Sequence, residues 1–164
     1  SAPIDVVDRA GVDLSPIDAR QDPRRLLAYL WPDQPDRLAR TKAAIALAET
    51  GVETGDAAHW LARRLSTRRP GALHLVYHTI AWQYFPPSTQ RAALDALEMA
   101  GTQATPDAPL ARLSMEADGN TPGAALDLWI WDGHRSNGAK LPVGRIDFHG
   151  RWVNIFDAAW DALC

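Results

Sequence analysis

The chain has almost no cysteine and almost no lysine. Its one cysteine, Cys164, is the last of 164 residues, so no intrachain disulfide can form. Stability must then come from a packed core, and a chain of about this size buries roughly 70% of its unfolded surface, which is enough to make one. A lone thiol suits a reducing compartment, and a cytoplasmic location is the expectation. With no base near it in sequence, Cys164 is a poor nucleophile. Of 17 basic residues only Lys42 and Lys140 are lysine, and 20 acidic residues bring the formal net charge to −3. Such a balance gives no global attraction to a polyanion, so nucleic acid is not an expected partner. The arginine excess accompanies 28 alanines and reads as a nucleotide-composition bias. The doublets Arg24-Arg25, Arg63-Arg64 and Arg68-Arg69 read as solvated faces.

Long apolar runs are also missing. The uncharged stretch from Gly71 to Gln90 contains His74, His78, Gln83 and Pro86-Pro87. Its apolar part is too short for a crossing of about 20 residues, and no membrane association is expected. The start, Ser1-Ala2-Pro3-Ile4-Asp5, has neither a basic nor an apolar leader segment and no initiator methionine. The expectation is a processed product or a fragment.

What is present is ordinary globular composition, 46% hydrophobic and 23% charged, with no repeat. Residues 3–8 read as a short strand and 11–16 as a loop. Asp22-Pro23 is a helix start, and a second helix runs from Pro35 to about Thr50, with Gly51 at its C′ position. After a short step at 52–54, Asp56 reads as the N-cap of a helix carrying Trp60, Leu61 and Leu65. Residues 72–78 are a compact apolar run, expected as a strand buried on both faces. Ser88 is expected to cap a helix ending at Gly101.

Period-2 alternation then takes over. In 110–117, Leu113, Met115 and Ala117 alternate with Arg112, Ser114 and Glu116. In 124–132, Leu126, Leu128 and Ile130 alternate with Asp127, Trp129 and Trp131, and 143–148 follows the same rule. Alternation marks strands with one wet face, typical of antiparallel pairing. The loop from Asp132 to Pro142 would join two of them, and Phe156, Trp160 and Leu163 suggest a last short helix. The fold class is therefore α/β, with parallel early strands and an antiparallel hairpin at the C-terminal end.

Three clusters carry candidate chemistry. Asp13 and Asp18 follow a strand, where acidic residues of open α/β sheets bond ribose hydroxyls; alternatively they stabilise a turn. Asp56 could accept from an exocyclic amine, cap its helix, or do both. The segment His78 to Pro87 leaves the sheet through aromatics and Gln83, as a pocket lining would. His78 is the candidate acid–base residue. The alternative is a structural loop that plugs the sheet edge.

Metal is not expected. His74 and His78 share a strand face some 13 Å apart at about 3.3 Å per residue, too far for one zinc ion. Gly133 to Lys140, GHRSNGAK, resembles a phosphate loop with the lysine displaced, but it joins two strands and lacks the Lys-Ser/Thr pair. Trp129 and Trp131 share a strand face, covered by a helix or another chain, or open to a partner.

Taken in order, Arg9-x-Gly11-x-Asp13-x-x-Pro16-x-Asp18, Trp31-Pro32-Asp33 with Arg37, Gly55-Asp56-Ala57, the His78-to-Phe85 segment and Asp147-x-His149-Gly150-x-Trp152 form a set. This set resembles the C-terminal half of an uncharacterised bacterial family, domain of unknown function 2332, over nearly the whole chain. The resemblance implies a partial Rossmann-like, three-layer fold similar to S-adenosylmethionine-dependent methyltransferases. The cofactor it implies is S-adenosylmethionine, with Asp56 facing adenine and Asp13 and Asp18 as further cofactor-binding candidates. The implied substrate pocket takes His78, Trp82, Gln83, Tyr84 and His149. The glycine-rich loop that cradles the methionine part has no counterpart in this sequence. Two functions follow: a methyltransferase-like domain acting on a small molecule, or a non-catalytic binding or self-assembly module, a homodimer formed through exposed apolar surface such as Trp129 and Trp131.

Overall fold

The structure is a computed structural model that describes residues 3–49, 51–134 and 137–159. The chain divides into two compact units, residues 1–60 and 61–164.

In the first unit, β1 (Val12–Asp13) pairs in parallel with β2 (Glu53–Thr54) as a two-stranded sheet. Backbone bonds from Glu53 to Gly11 and from Gly55 to Asp13 extend this ladder at both ends. The strand expected at 3–8 does not form. Ile4, Val6 and Val7 lie exposed, so that apolar run finds no cover, and the pairing falls on the loop expected at 11–16. Helix α1 (Pro23–Leu27) starts as read, with the Asp22 carboxylate accepting from Arg25 N. Helix α2 (Pro35–Ala46) half-buries a stripe of Leu38, Thr41 and Ile45. It stops short of Thr50, so Gly51 is not its C′ residue. Helix α3 (Ala57–Leu65) is capped by Asp56, which accepts from Ala58 N and His59 N at 3.0 Å each.

The second unit holds a five-stranded sheet, ordered β3 (His74–Thr79), β4 (Leu110–Glu116), β5 (Ala124–Trp131), β6 (Asn137–Ile146) and β7 (Val153–Ile155). Strand β3 crosses through helix α4 (Pro87–Gly101) to pair in parallel with β4. From β4 onward every pairing is antiparallel. The mixed α/β class is as read, but the strands form two sheets rather than one, and the antiparallel end is a four-strand meander rather than one hairpin. Strand β6 begins at Asn137, inside the expected connecting loop, and β7 lay outside the sequence reading. Helix α4 starts at Pro87 with no side-chain cap bond, so Ser88 is not its cap; its end at Gly101 is as read. Residues 157–159 are helical, and the expected apolar contacts Trp160 and Leu163 lie outside the described residues.

The core of this unit lies between α4 and one face of the sheet. Ala93, Leu97 and Ala100 of α4 are buried, as is Leu110 beneath them. Burying a leucine fully contributes about 1.5–3 kcal/mol. The register puts Leu110 beside Trp131, Arg112 beside Trp129 and Ser114 beside Asp127, all on the covered face. The face with polar residues is thus a covered one, and Ala111 and Met115 on the opposite face of β4 are buried too. On the other face Leu75 is 47% and Tyr77 70% exposed, so β3 is not buried on both faces.

Trp131 explains two glycines. A Cβ on Gly101 of α4 or on Gly138 of β6 would lie 2.3 Å from the Trp131 ring. The indole fills a slot that only two missing side chains leave open, which closes α4 onto the sheet. Gly138 also has φ +68°, a conformation L side chains rarely adopt. Gly101→Ala should therefore cost about 1–3 kcal/mol, lowering Tm by about 2–12 °C. Thermal denaturation of Gly101→Ala with and without Trp131→Leu checks the cause. The smaller side chain should recover part of the loss, and equal losses in both backgrounds would contradict the slot.

Candidate functional site

The polar face of β4 assembles an interlocked group of side chains in the second unit. Alternation sends Arg112, Ser114 and Glu116 to the covered face, and the parallel register brings His78 of β3 opposite Ser114. His78 Nδ1 lies 2.7 Å from Glu116 Oε1. Its Nε2 lies 3.1 Å from Arg112 Nε and 3.0 Å from Arg112 Nη2. A guanidinium can only donate, so Nε2 must carry a lone pair, and Nδ1–H then donates to the carboxylate. Both ring nitrogens are engaged, and the geometry selects one neutral tautomer.

The loop after β3 seals this arrangement. Ile80 adopts φ +49°, an outlier for a β-branched residue that costs about 1–3 kcal/mol. The sharp turn brings a 3-10 turn, Trp82–Tyr84, back over the sheet. Glu116 Oε1 accepts from Ala81 N and Trp82 N at 3.0 and 3.1 Å, in addition to His78. Gln90 of α4 donates to the carbonyls of Trp82 and Phe85. Trp82 stacks on His78 with ring centroids 5.1 Å apart. Arg112, only 7% exposed, lies 4.4 Å from the Trp82 ring and 4.5 Å from that of Trp129. Each cation–π contact between desolvated groups is worth about 2 kcal/mol. Lys140 is held 2.8 Å from Asp127 and also lies over Trp129, at 5.9 Å.

Electrostatics follow from burial. Desolvation lowers the His78 pKa below its ordinary 6.5, and the Arg112 charge lowers it further, against the hydrogen bond to Glu116 and that carboxylate's charge. Desolvation also lowers the Arg112 pKa, opposed by the charges of Glu116 and Asp127. Glu116 Oε2 is buried with no hydrogen-bond partner, so its charge is compensated only by its surroundings.

The site residues read from sequence separate. His78 and Trp82 meet in this cluster. Gln83 and Tyr84 are exposed on the 3-10 turn beside it. His149 is exposed in the β6–β7 turn, whose backbone it serves by donating to Asp147 Oδ1. Strand β6 alone is three inter-strand spacings from β3, about 14 Å, so His149 does not join His78. Arg151 pairs with Asp147 in that turn at 2.8 Å and holds its carboxyl well below the usual range. Arg112 and Glu116 were missed because alternation sets them apart only as the polar side of β4, whereas Trp129 was read, with Trp131, on a face covered by a helix or another chain or open to a partner. The available signal was the apolar side of α4, which needs a sheet face to cover.

In the first unit, Asp13 is the last residue of β1 and Asp56 follows the carboxyl end of its parallel partner β2. Asp13 Oδ1 accepts from Ser15 N at 2.7 Å, and Asp18 Oδ1 from Arg20 N and Gln21 N. The local turn and cap roles are therefore present at all three aspartates. Trp60 donates to Glu53 at 2.8 Å and ties α3 to β2.

Among the described residues no group of three or more His, Cys, Asp or Glu is placed to hold a metal ion, and no helix is long and apolar enough to cross a membrane. A model of bacterial proteins of uncharacterised function, DUF2332, matches residues 1–155. The chain belongs to the DUF2332 family. Comparison with curated proteins and with solved structures gives no match. The His78–Glu116–Arg112 cluster of this DUF2332 chain is thus interpreted from its own geometry.

That geometry gives a pH dependence with a definite sign. The unfolded His78 binds a proton near pH 6.5 and the folded one only at lower pH. Between those values the unfolded state holds more protons, so stability rises with pH there. The contribution is complete above about pH 6.5 and is lost as pH falls toward the folded pKa. Urea denaturation from pH 7.5 to 5 should show this fall in the native protein and a flatter profile in His78→Gln. Identical profiles would contradict a buried neutral imidazole.

Proposed function

We propose that the chain is a methyltransferase-like α/β domain that binds the adenosyl part of S-adenosylmethionine through the residue 1–60 unit. The observation that carries this reading is the placement of Asp13, the last residue of β1, and Asp56, just past the end of β2, at the carboxyl edge of two paired parallel strands. Open α/β sheets take ligands at that edge, and a carboxylate there accepts from ribose hydroxyls or an exocyclic amine. The fit is partial. Asp13 is exposed and uses one oxygen locally, which leaves acceptor capacity for a nucleoside. No glycine-rich turn follows β1, so the described residues of this unit supply no cradle for the methionine part. Methyl transfer depends chiefly on alignment of nucleophile and methyl, and no transfer step is assigned to this chain.

A second reading, a non-catalytic binding module, is favoured by the engaged state of His78. Both of its nitrogens are committed, which suits a rigid wall better than a residue that exchanges protons. On this reading Trp129 and Trp131 are not the self-association surface, because Trp131 is buried against α4 and Trp129 packs on Arg112. Any homodimer would use other exposed apolar surface, such as Leu75 and Tyr77.

Calorimetry with S-adenosylmethionine and with adenosine separates the two. The nucleoside reading expects saturable heat for both ligands, and weaker binding by Asp56→Ser, in which serine keeps the helix cap while removing the carboxylate. Absence of heat at concentrations well above micromolar would sink it.

A further inference from the structure

Between α4 and the sheet of the second unit runs a groove of about 290 Å³, the room of roughly ten water molecules. Its wall is formed by Leu94, Leu97 and Glu98 of α4 and by Arg112, Trp129 and Trp131 of the sheet. The lining is mostly apolar and aromatic, with the Thr102 side chain and two charges, and those charges differ in kind. Glu98 is exposed to water. Arg112 is 93% buried, the complement of its 7% exposure, and so has lost most of its hydration.

The guanidinium is also incompletely used. Its Nε and Nη2 are spent on one neutral acceptor, His78 Nε2. Among the described residues Nη1 has no hydrogen-bond partner, although the side chain lines the groove. Among the described residues no carboxylate makes an ion pair with Arg112, and the charges of Glu116 and Asp127 act on it from a distance. Glu116 acts on it only through space, because Oε1 is taken by His78 and two backbone amides. Nη1 is not one of the atoms sealed from solvent without a partner, so water satisfies it now and an anionic acceptor can replace that water; a hydrogen bond to a charged partner contributes about 1.5–3 kcal/mol.

We propose that this groove binds a small organic monocarboxylate with an apolar body, its carboxylate on Arg112 Nη1 and its body against Trp129, Trp131, Leu94 and Leu97. Charge complementarity selects the class. One cation lines the groove, so one negative charge is matched and a second is not. Glu98 at the same groove adds a penalty for polyanions such as phosphate. The indoles reward an apolar or aromatic body by burial, as ligand sites generally do. Trp82 and His78 fix the guanidinium from behind, so the donor is held in place before a ligand arrives, which lowers the ordering cost of binding. Nothing in this proposal depends on nucleoside binding at the 1–60 unit.

The test is calorimetry and tryptophan fluorescence of the full 164-residue chain, titrated with phenylacetate, with its neutral isostere phenylacetamide, and with inorganic phosphate. Phenylacetate should bind saturably and quench the groove indoles, with phenylacetamide about tenfold to a hundredfold weaker. Phosphate should bind no better than the amide. Arg112→Gln should abolish the preference for the acid. Because that change also disturbs His78, Leu94→Trp serves as a second variant: it fills the groove from the partly exposed helix side and should remove binding while leaving the His78 tautomer unchanged. Equal affinity for acid and amide, preferential binding of phosphate, or no saturable phenylacetate binding at millimolar concentration would each overturn the proposal. S-adenosylmethionine binding measured in parallel should be the same in Leu94→Trp and the native chain, so the two readings fail separately.

Discussion

A guanidinium buried against two indoles organises the second unit. Arg112 sits on the sheet face that α4 covers, and a charge in that position must be compensated or it unfolds the layer around it. The compensation comes in three forms. Trp82 and Trp129 offer their ring faces, His78 offers a lone pair, and Glu116 offers charge through space. The groups around it are in turn fixed by other elements: Trp82 by the backbone bonds to Glu116, the 80–86 loop by Gln90 of α4, and Trp129 by its place in β5. The sheet, its crossover helix and the loop between them are thus tied to one side chain.

The same economy appears at the far side of the meander, with no link to the groove. Arg145 of β6 donates to the carbonyls of Pro122, Asn120 and Gly123 and to both oxygens of Asp118. The Asp118 carboxyl is held well below the usual range by that pairing. One arginine therefore shapes the β4–β5 connection, and Asp147 with Arg151 shapes the β6–β7 turn. The Asp147-x-His149-Gly150 motif is accounted for by turn geometry, which explains why its histidine side chain faces solvent.

Much of the architecture was legible in the residues. Alternation located β4 and β5, Asp22 and Asp56 marked two helix starts, and Gly101 marked a helix end. The errors share a cause: periodicity tells which residues share a face but not which face is dry. Arg112, Ser114 and Glu116 were read as wet because isolated polar residues prefer water. Stacked aromatics and balanced charges reverse that preference, and both come from other elements, remote in sequence. The apolar run at 72–78 misled in the opposite sense, since Leu75 and Tyr77 stay exposed. Of the site, His78 and Trp82 were legible as residue types, whereas their partners needed the register of β3 on β4.

The central claim is that His78 is a neutral, doubly bonded member of this cluster rather than a freely titrating base. Nitrogen-15 NMR of histidine-labelled protein between pH 5 and 8 tests it most directly. The account predicts an Nδ1–H tautomer for His78 that stays neutral below pH 6.5. A midpoint for His78 near 6.5, or a proton on Nε2, would contradict it.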